Sequence, residues 1–197
     1  LRMSRGLGDV YKRQEEFQRI NERYTYLTDQ RDDVETAKKE LEDVIAQITG
    51  EMKTIFAREF ENINQAFQQT FQELFGGGRA ALELEDPDDI LNCGIEIKVQ
   101  PPGKALKVLS LLSGGEKAFV AIALYFAILK VRPTPFVVMD EIEAALDDNN
   151  VVRFARYMRS MSDKTQFIVI THRRGTMEEA DVLYGVTMQE QGVSRML

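Results

Sequence analysis

At 197 residues, with 44% hydrophobic and 29% charged side chains, the chain suits one domain with a real core, or one domain plus an extension. Its net charge of −7 argues against a surface that binds nucleic acid throughout, while leaving room for a local basic patch. One cysteine, Cys93, and one histidine exclude an internal disulfide and a Cys/His metal cluster and fit a reducing, cytoplasmic setting. The longest apolar run, residues 118–129, falls well short of the roughly 20 residues that a membrane span needs, so no membrane partner is expected.

Residues 1–14 show neither a heptad nor strand alternation, and no apolar stretch of a signal peptide. They are expected to be an extraneous leader or a frayed terminus. From Phe17 the pattern turns helical. Phe17, Ile20, Tyr24, Leu27, Arg31, Val34, Lys38, Leu41, Ile45 and Ile48 follow 3-4 spacing, and only Arg31 and Lys38 among them are not apolar. This is a coiled-coil seam, expected within a segment 15–50, on a helix of roughly 50 Å at 1.5 Å per residue. An amphipathic helix lying on the domain is the alternative. A second helix is expected through Ile55, Phe60, Ile63, Phe67, Phe71 and Phe75, ended by Gly76-Gly77-Gly78.

Residues 51–197 read as α/β. Strands are expected at 80–84 and 95–99, the second alternating apolar and polar residues, with turns at Asp86-Pro87-Asp88 and Pro101-Pro102-Gly103. A helix should open after Ser113 and stop near Pro133. Residues 136–139 and 167–170 are continuous apolar runs, read as buried strands, with a helix at about 149–161 between them. Strand, helix, strand in this order is a βαβ unit with parallel strands. Residues 182–188 and 192–197 are expected to close the chain as a hairpin.

Three places carry candidate chemistry. Ser113-Gly114-Gly115-Glu116 opens the long buried helix. A capping box explains Ser113 and Glu116. It does not explain two glycines in a first turn, where each costs about 1 kcal/mol of helix propensity; bare N–H groups at a helix N-terminus suit a phosphate. Asp140 and Glu141 follow an apolar strand, where the ligand edge of a parallel sheet lies. The first acid can hold Mg²⁺ and the second can polarise an attacking water. A helix cap with a dipole-favoured carboxylate is the structural alternative. His172 ends the next strand at the same edge, beside Arg173-Arg174.

Leu111-Leu112-Ser113-Gly114-Gly115-Glu116-Lys117 resembles the signature motif of ABC-type ATPases, and residues 136–141 resemble their Walker B strand with its glutamate. Ala145-Leu146-Asp147 resembles the D-loop and Thr171-His172 the switch histidine. The longer wording, residues 140–148, 171–178 and 180–188, is similar to bacterial SMC (structural maintenance of chromosomes) proteins, and residues 21–24 and 30–33 resemble the SMC coil entering its head. The resemblance covers about residues 15–197. It implies an α/β fold, the C-terminal lobe of an ABC-type ATPase head with parallel strands and flanking helices, preceded by a coiled-coil helix.

The resemblance implies roles as well. Ser113, Gly114, Gly115 and Glu116 would meet the ATP held by an opposite head. Asp140 would bind Mg²⁺ through water, Glu141 would activate the hydrolytic water, Asp147 would sit at the head interface, and His172 would sense the γ-phosphate. The implied partners are the N-terminal half of the same head, a second SMC head in a homodimer, a kleisin subunit and DNA, in a cytoplasmic, nucleoid-associated protein. The chain departs from the family in one respect. It has no G-x-x-x-x-G-K-[ST]; its Gly-Lys pair, Gly103-Lys104, is followed by Ala105, and Lys98 stands where the first glycine belongs. The chain is therefore expected to be a fragment that lacks the phosphate loop and does not hydrolyse ATP alone. An ABC transporter subunit and a DNA-repair ATPase with a coil are the alternatives.

Overall fold

The computed structural model describes residues 2–196. Leu1, at the head of the expected leader, and Leu197, at the end of the expected hairpin, lie outside the described residues, as do the side chains of 2–10, 189 and 190. The chain divides into two compact units, Leu1–Thr54 and Ile55–Leu197.

The first unit is helical from Arg2, including residues 2–14, where no regular element was expected. The two expected helices are a single element, α1 (Arg2–Phe75). Gly50 does not break it. A glycine costs a helix about 1 kcal/mol relative to alanine, which the strong helix formers around it outweigh. The seam is present and bare: Phe17, Ile20, Tyr24, Leu27, Val34, Leu41, Ile45 and Ile48 are all exposed.

The second unit holds the core. The last turns of α1 contribute Phe67, Phe71 and Leu74, all fully or almost fully buried. At Gly76, φ 71°, the chain takes the left-handed turn that a glycine permits, and Gly77 N donates to Gln72 O at 2.9 Å, which closes a Schellman cap. An antiparallel sheet follows, in the order β1 (Arg79–Leu84), β2 (Ile95–Gln100), β3 (Lys107–Val108). Helix α2 (Gly114–Val131) is the centre of the unit. Its Phe119, Val120, Ala123, Phe126 and Ala127 are buried, and the Phe126 ring meets Phe154, Tyr157 and Phe167 at 5.8, 5.2 and 6.4 Å.

The βαβ unit is present as read: β4 (Phe136–Asp140), α3 (Asp148–Ser160) and β5 (Gln166–Ile170), with β4 and β5 parallel and Asp140 in register with Ile170. Its strands are not buried on both faces, contrary to the reading of 136–139 and 167–170 as buried strands. Val137 and Met139 point into the core, and Phe167 and Val169 pack against it. Phe136 and Val138 are each 58% exposed, Ile168 46% and Ile170 53%. Among the described residues the parallel sheet has two strands, and nothing covers its second face. A short helix α4 (Arg174–Met177) follows β5, and the closing hairpin is β6 (Val186–Glu190) with β7 (Val193–Met196); residues 182–185 stay outside it. No helix among the described residues is long and apolar enough to cross a membrane.

Candidate functional site

Helix α2 opens with the expected capping box. Ser113 Oγ accepts from Glu116 N at 3.4 Å, and Ser113 N and Oγ donate to Glu116 Oε2 at 3.0 and 2.7 Å. Lys104, from the segment that imitates a phosphate loop, instead reaches Glu116 Oε1 at 2.6 Å. Lys104 first, and then Ser113, hold the Glu116 carboxyl down to about 2 from its usual 4.5. A depressed carboxyl stabilises the folded state above its ordinary range, and that contribution fades as pH falls from 4.5 towards 2. The two glycines differ. A Cβ at Gly114 would meet nothing within 4 Å, so its backbone is open to a visitor. A Cβ at Gly115 would lie 2.9 Å from the carbonyl oxygen of Ala145, so that glycine is required by packing on the loop before α3. At Gly115 a packing reason thus stands beside the expected approach of a ligand.

Asp140 is the last residue of β4, and Glu141 turns the chain with φ 46°, the one non-glycine residue with positive φ among the described residues. Glu141 N still donates to Ile170 O at 2.9 Å, so the turn is fastened to the end of β5. A left-handed non-glycine costs of order 1–3 kcal/mol and persists where the surroundings impose it, often at working sites. From the end of β5, His172 brings Nδ1 to 3.1 Å from Glu141 Oε1. The two strand ends thus bring Asp140, Glu141 and His172 together, with side chains open to solvent. Neither acid caps a helix; that task falls to Asp147, whose Oδ1 accepts from Asn150 N at 2.9 Å at the start of α3.

The Asp140 side chain makes no hydrogen bond or ion pair among the described residues, and no three acids, histidines or cysteines gather into a metal site there. One free carboxylate at a strand end cannot cage a metal. It fits Mg²⁺ whose other ligands are water and phosphate oxygens.

Several participants escaped the sequence reading. Glu143 is fully buried and accepts from the hydroxyls of Thr171 and Thr176. Arg173 Nη2 donates to Leu146 O and Asp148 Oδ1, both at 3.0 Å. An acid set among Ile142, Ala144, Ala145 and Leu146 was the available sign that Glu143 points inward.

Comparison with known proteins bears on this arrangement. Residues 10–195 match the family model of the RecF/RecN/SMC N terminal domain. The chromosome partition protein Smc of Bacillus subtilis is 60% identical over 183 residues, which are 93% of this chain and 15% of that protein. The Smc head domain of Pyrococcus furiosus, solved with an extended coiled coil and bound to the C-terminal domain of ScpA, superposes with a TM-score of 0.71 at 42% identity, over 92% of this chain and 46% of that one. A structure from work on ATP-driven dimerization and DNA-stimulated activation of SMC ATPases gives 0.69 at 45% identity, over 74% and 88% of the two chains. The chain thus spans about 15% of the length of the curated relatives it matches.

Proposed function

The chain belongs to the RecF/RecN/SMC N-terminal domain family, and we propose that it is the part of an SMC ATPase head that supplies the signature motif, Walker B strand, D-loop and switch histidine. The phosphate loop comes, on this reading, from a segment outside this sequence. The observation that carries the proposal is the meeting of Asp140, Glu141 and His172 at the ends of two parallel strands, in a chain without a phosphate loop. The family model bears the name of an N-terminal domain; assigning the chain to the C-terminal half of the head rests on its motifs. Residues 15–50 would be the coil entering that head and 51–197 its lobe, with 1–14 a leader.

Glu141 is the carboxylate that polarises the attacking water, and His172, at hydrogen-bonding distance from it, holds its orientation and senses the terminal phosphate. Asp140 is the free carboxylate for Mg²⁺, which supplies charge neutralisation on the phosphates when bound. Ser113, Gly114, Gly115 and Glu116 form the start of α2, where an open backbone at Gly114 receives phosphate held by a second head. Asp147 faces that second head. Hydrolysis of ATP is then an activity of the whole protein, and its purpose is chromosome organisation in the cytoplasm. The partners are a second head, a kleisin subunit and DNA, supported by relatives described with ScpA bound and as stimulated by DNA. The chromosome partition relatives, at 60% identity, favour this over a repair ATPase or a transporter subunit.

In the full-length protein, Glu141→Gln keeps the shape and loses the charge that polarises water. Turnover of ATP should fall by about 100-fold or more with nucleotide affinity unchanged. A variant that hydrolyses ATP at the parent rate removes Glu141 from the mechanism.

A further inference from the structure

The Glu141–His172 contact joins two exposed side chains, 53% and 63% accessible. Such a contact contributes little by itself and cannot hold its own geometry. His172 lies in residues 171–173, between the end of β5 and the start of α4, a stretch with no regular hydrogen-bonded structure of its own. Something else must keep it opposite Glu141.

Its neighbours on both sides are tied down. Thr171 Oγ1 donates to Glu143 Oε1 and accepts from Arg173 N at 3.0 Å. Thr176 Oγ1 donates to the same Glu143 oxygen at 3.0 Å. Arg173 crosses to Leu146 O and Asp148 Oδ1. A Cβ at Gly175 would sit 3.2 Å from Val151 Cγ1, so the segment also lies close on α3. Glu143 itself has no accessible surface, and its Oε2 has no hydrogen-bond partner among the described residues. A carboxylate taken out of water, with one oxygen left unpaired, is an expense that packing does not require; an apolar side chain of similar size would fill the same space without it.

We infer that Glu143 is a positioning residue. Together with Arg173 it braces segment 171–176 against loop 143–148, so that His172 keeps its place opposite Glu141 and both move with Asp147. The close approach of Gly115 to Ala145 O extends the brace to the start of α2. A displacement of the signature turn or of Asp147 is thereby carried to the Glu141–His172 pair. The inference rests on the proposed ATPase reading for its consequence in catalysis, and on the geometry alone for the brace.

The test uses the full-length protein with Glu143→Ala, Glu143→Gln and Thr176→Val. The alanine variant removes the acceptor, the glutamine variant keeps an acceptor oxygen for both threonines, and the valine variant removes one donor at constant volume, so a variant remains even where alanine impairs folding. For Glu143→Ala, kcat should drop about 10- to 100-fold, as misplacement of a reacting group does, with KM for ATP little changed and the melting temperature lowered by the cavity and the two orphaned hydroxyls. Glu143→Gln should recover most of the loss, and Thr176→Val should lie between. Amides 171–177 should exchange faster with deuterium in the alanine and valine variants, while those of β5 stay as in the parent. Parental exchange at 171–177 in both overturns the brace, whatever the turnover. Equal kcat loss in the alanine and glutamine variants overturns it too, because the charge and not the tie would then be what matters. A parent protein that does not hydrolyse ATP overturns the ATPase reading instead, and the exchange measurement then decides the brace alone.

Discussion

Ser113 has a task inside its own helix, the cap bonded to Glu116, and a proposed task outside it, the contact with a nucleotide on a second head. Ser113→Ala loses the cap, which costs about 1 kcal/mol, and with it the hydroxyl that would meet the nucleotide. Ser113→Arg loses the cap and also puts a bulky cation where Gly114 leaves the backbone open. In the full-length protein, both variants should bind ATP as the parent does and melt at similar temperatures. Ser113→Arg should abolish ATP-dependent engagement of two heads and Ser113→Ala should weaken it, measured by cross-linking or light scattering. Weakened ATP binding by single heads carrying Ser113→Arg would contradict the assignment, since Ser113 would then serve its own head's nucleotide. At this scale the sequence was informative where motif and local chemistry coincide. The capping box at Ser113 and the strand-end acid Asp140 are both where residue spacing puts them. Glu143 and Arg173 were not legible, because their partners lie 25 or more positions away, and only the β4–β5 register brings residues 171–176 beside 143–148. The packing reason for the second glycine of the signature was hidden likewise: the atom that forbids a side chain at Gly115 belongs to residue 145.

Among the elements, α1 was legible in its seam and not in its extent. Heptad spacing is local, so Phe17 through Ile48 could be read directly, whereas continuity past Gly50 depends on the summed preference of its neighbours. The seam is unpartnered among the described residues, and burying one Leu or Ile gives roughly 1.5–3 kcal/mol, so eight exposed apolar residues favour association strongly. An isolated helix is also marginal without a partner. The 197-residue chain should therefore self-associate through this seam. Light scattering should give a mass above that of the monomer, and Leu27→Glu with Leu41→Glu should return it to the monomer. Addition of a coil complementary to the seam should raise helicity by circular dichroism and give one-to-one pairing. A monomeric parent chain whose amides 17–48 already resist exchange would instead place the seam against its own chain and end the coiled-coil reading. The strands β4 and β5 carry a related lesson. Four apolar residues in a row were read as burial on both faces, and composition could not reveal that the elements present cover only one of them.

For the whole molecule, the bare sheet face and the absent phosphate loop point the same way. Parallel strands rich in apolar residues are ordinarily covered on both sides, yet Phe136, Val138, Ile168 and Ile170 stand about half exposed or more. The proposed catalytic groups also share a limitation: Asp140, Glu141 and His172 can act on a terminal phosphate and its water, but beyond the His172 ring N–H they offer no donors to hold a triphosphate in place. The Gly103-Lys104 pair makes no phosphate loop, since Lys98 stands in place of the first glycine and Ala105 in place of the Ser or Thr. The 197-residue chain alone should accordingly show no magnesium-dependent ATP turnover above background. Joined to a segment that carries G-x-x-x-x-G-K-[ST] and the other layer of the sheet, it should gain turnover, and amides of β4 and β5 should become more protected, because the same addition supplies the phosphate cradle and the cover. The two readouts test different parts of the argument. Turnover by the chain alone would mean that its own residues hold the nucleotide and that no second half is needed. Turnover gained without added protection at β4 and β5 would mean that the phosphate loop acts from elsewhere, and that the exposed face of this sheet is not where the added segment docks.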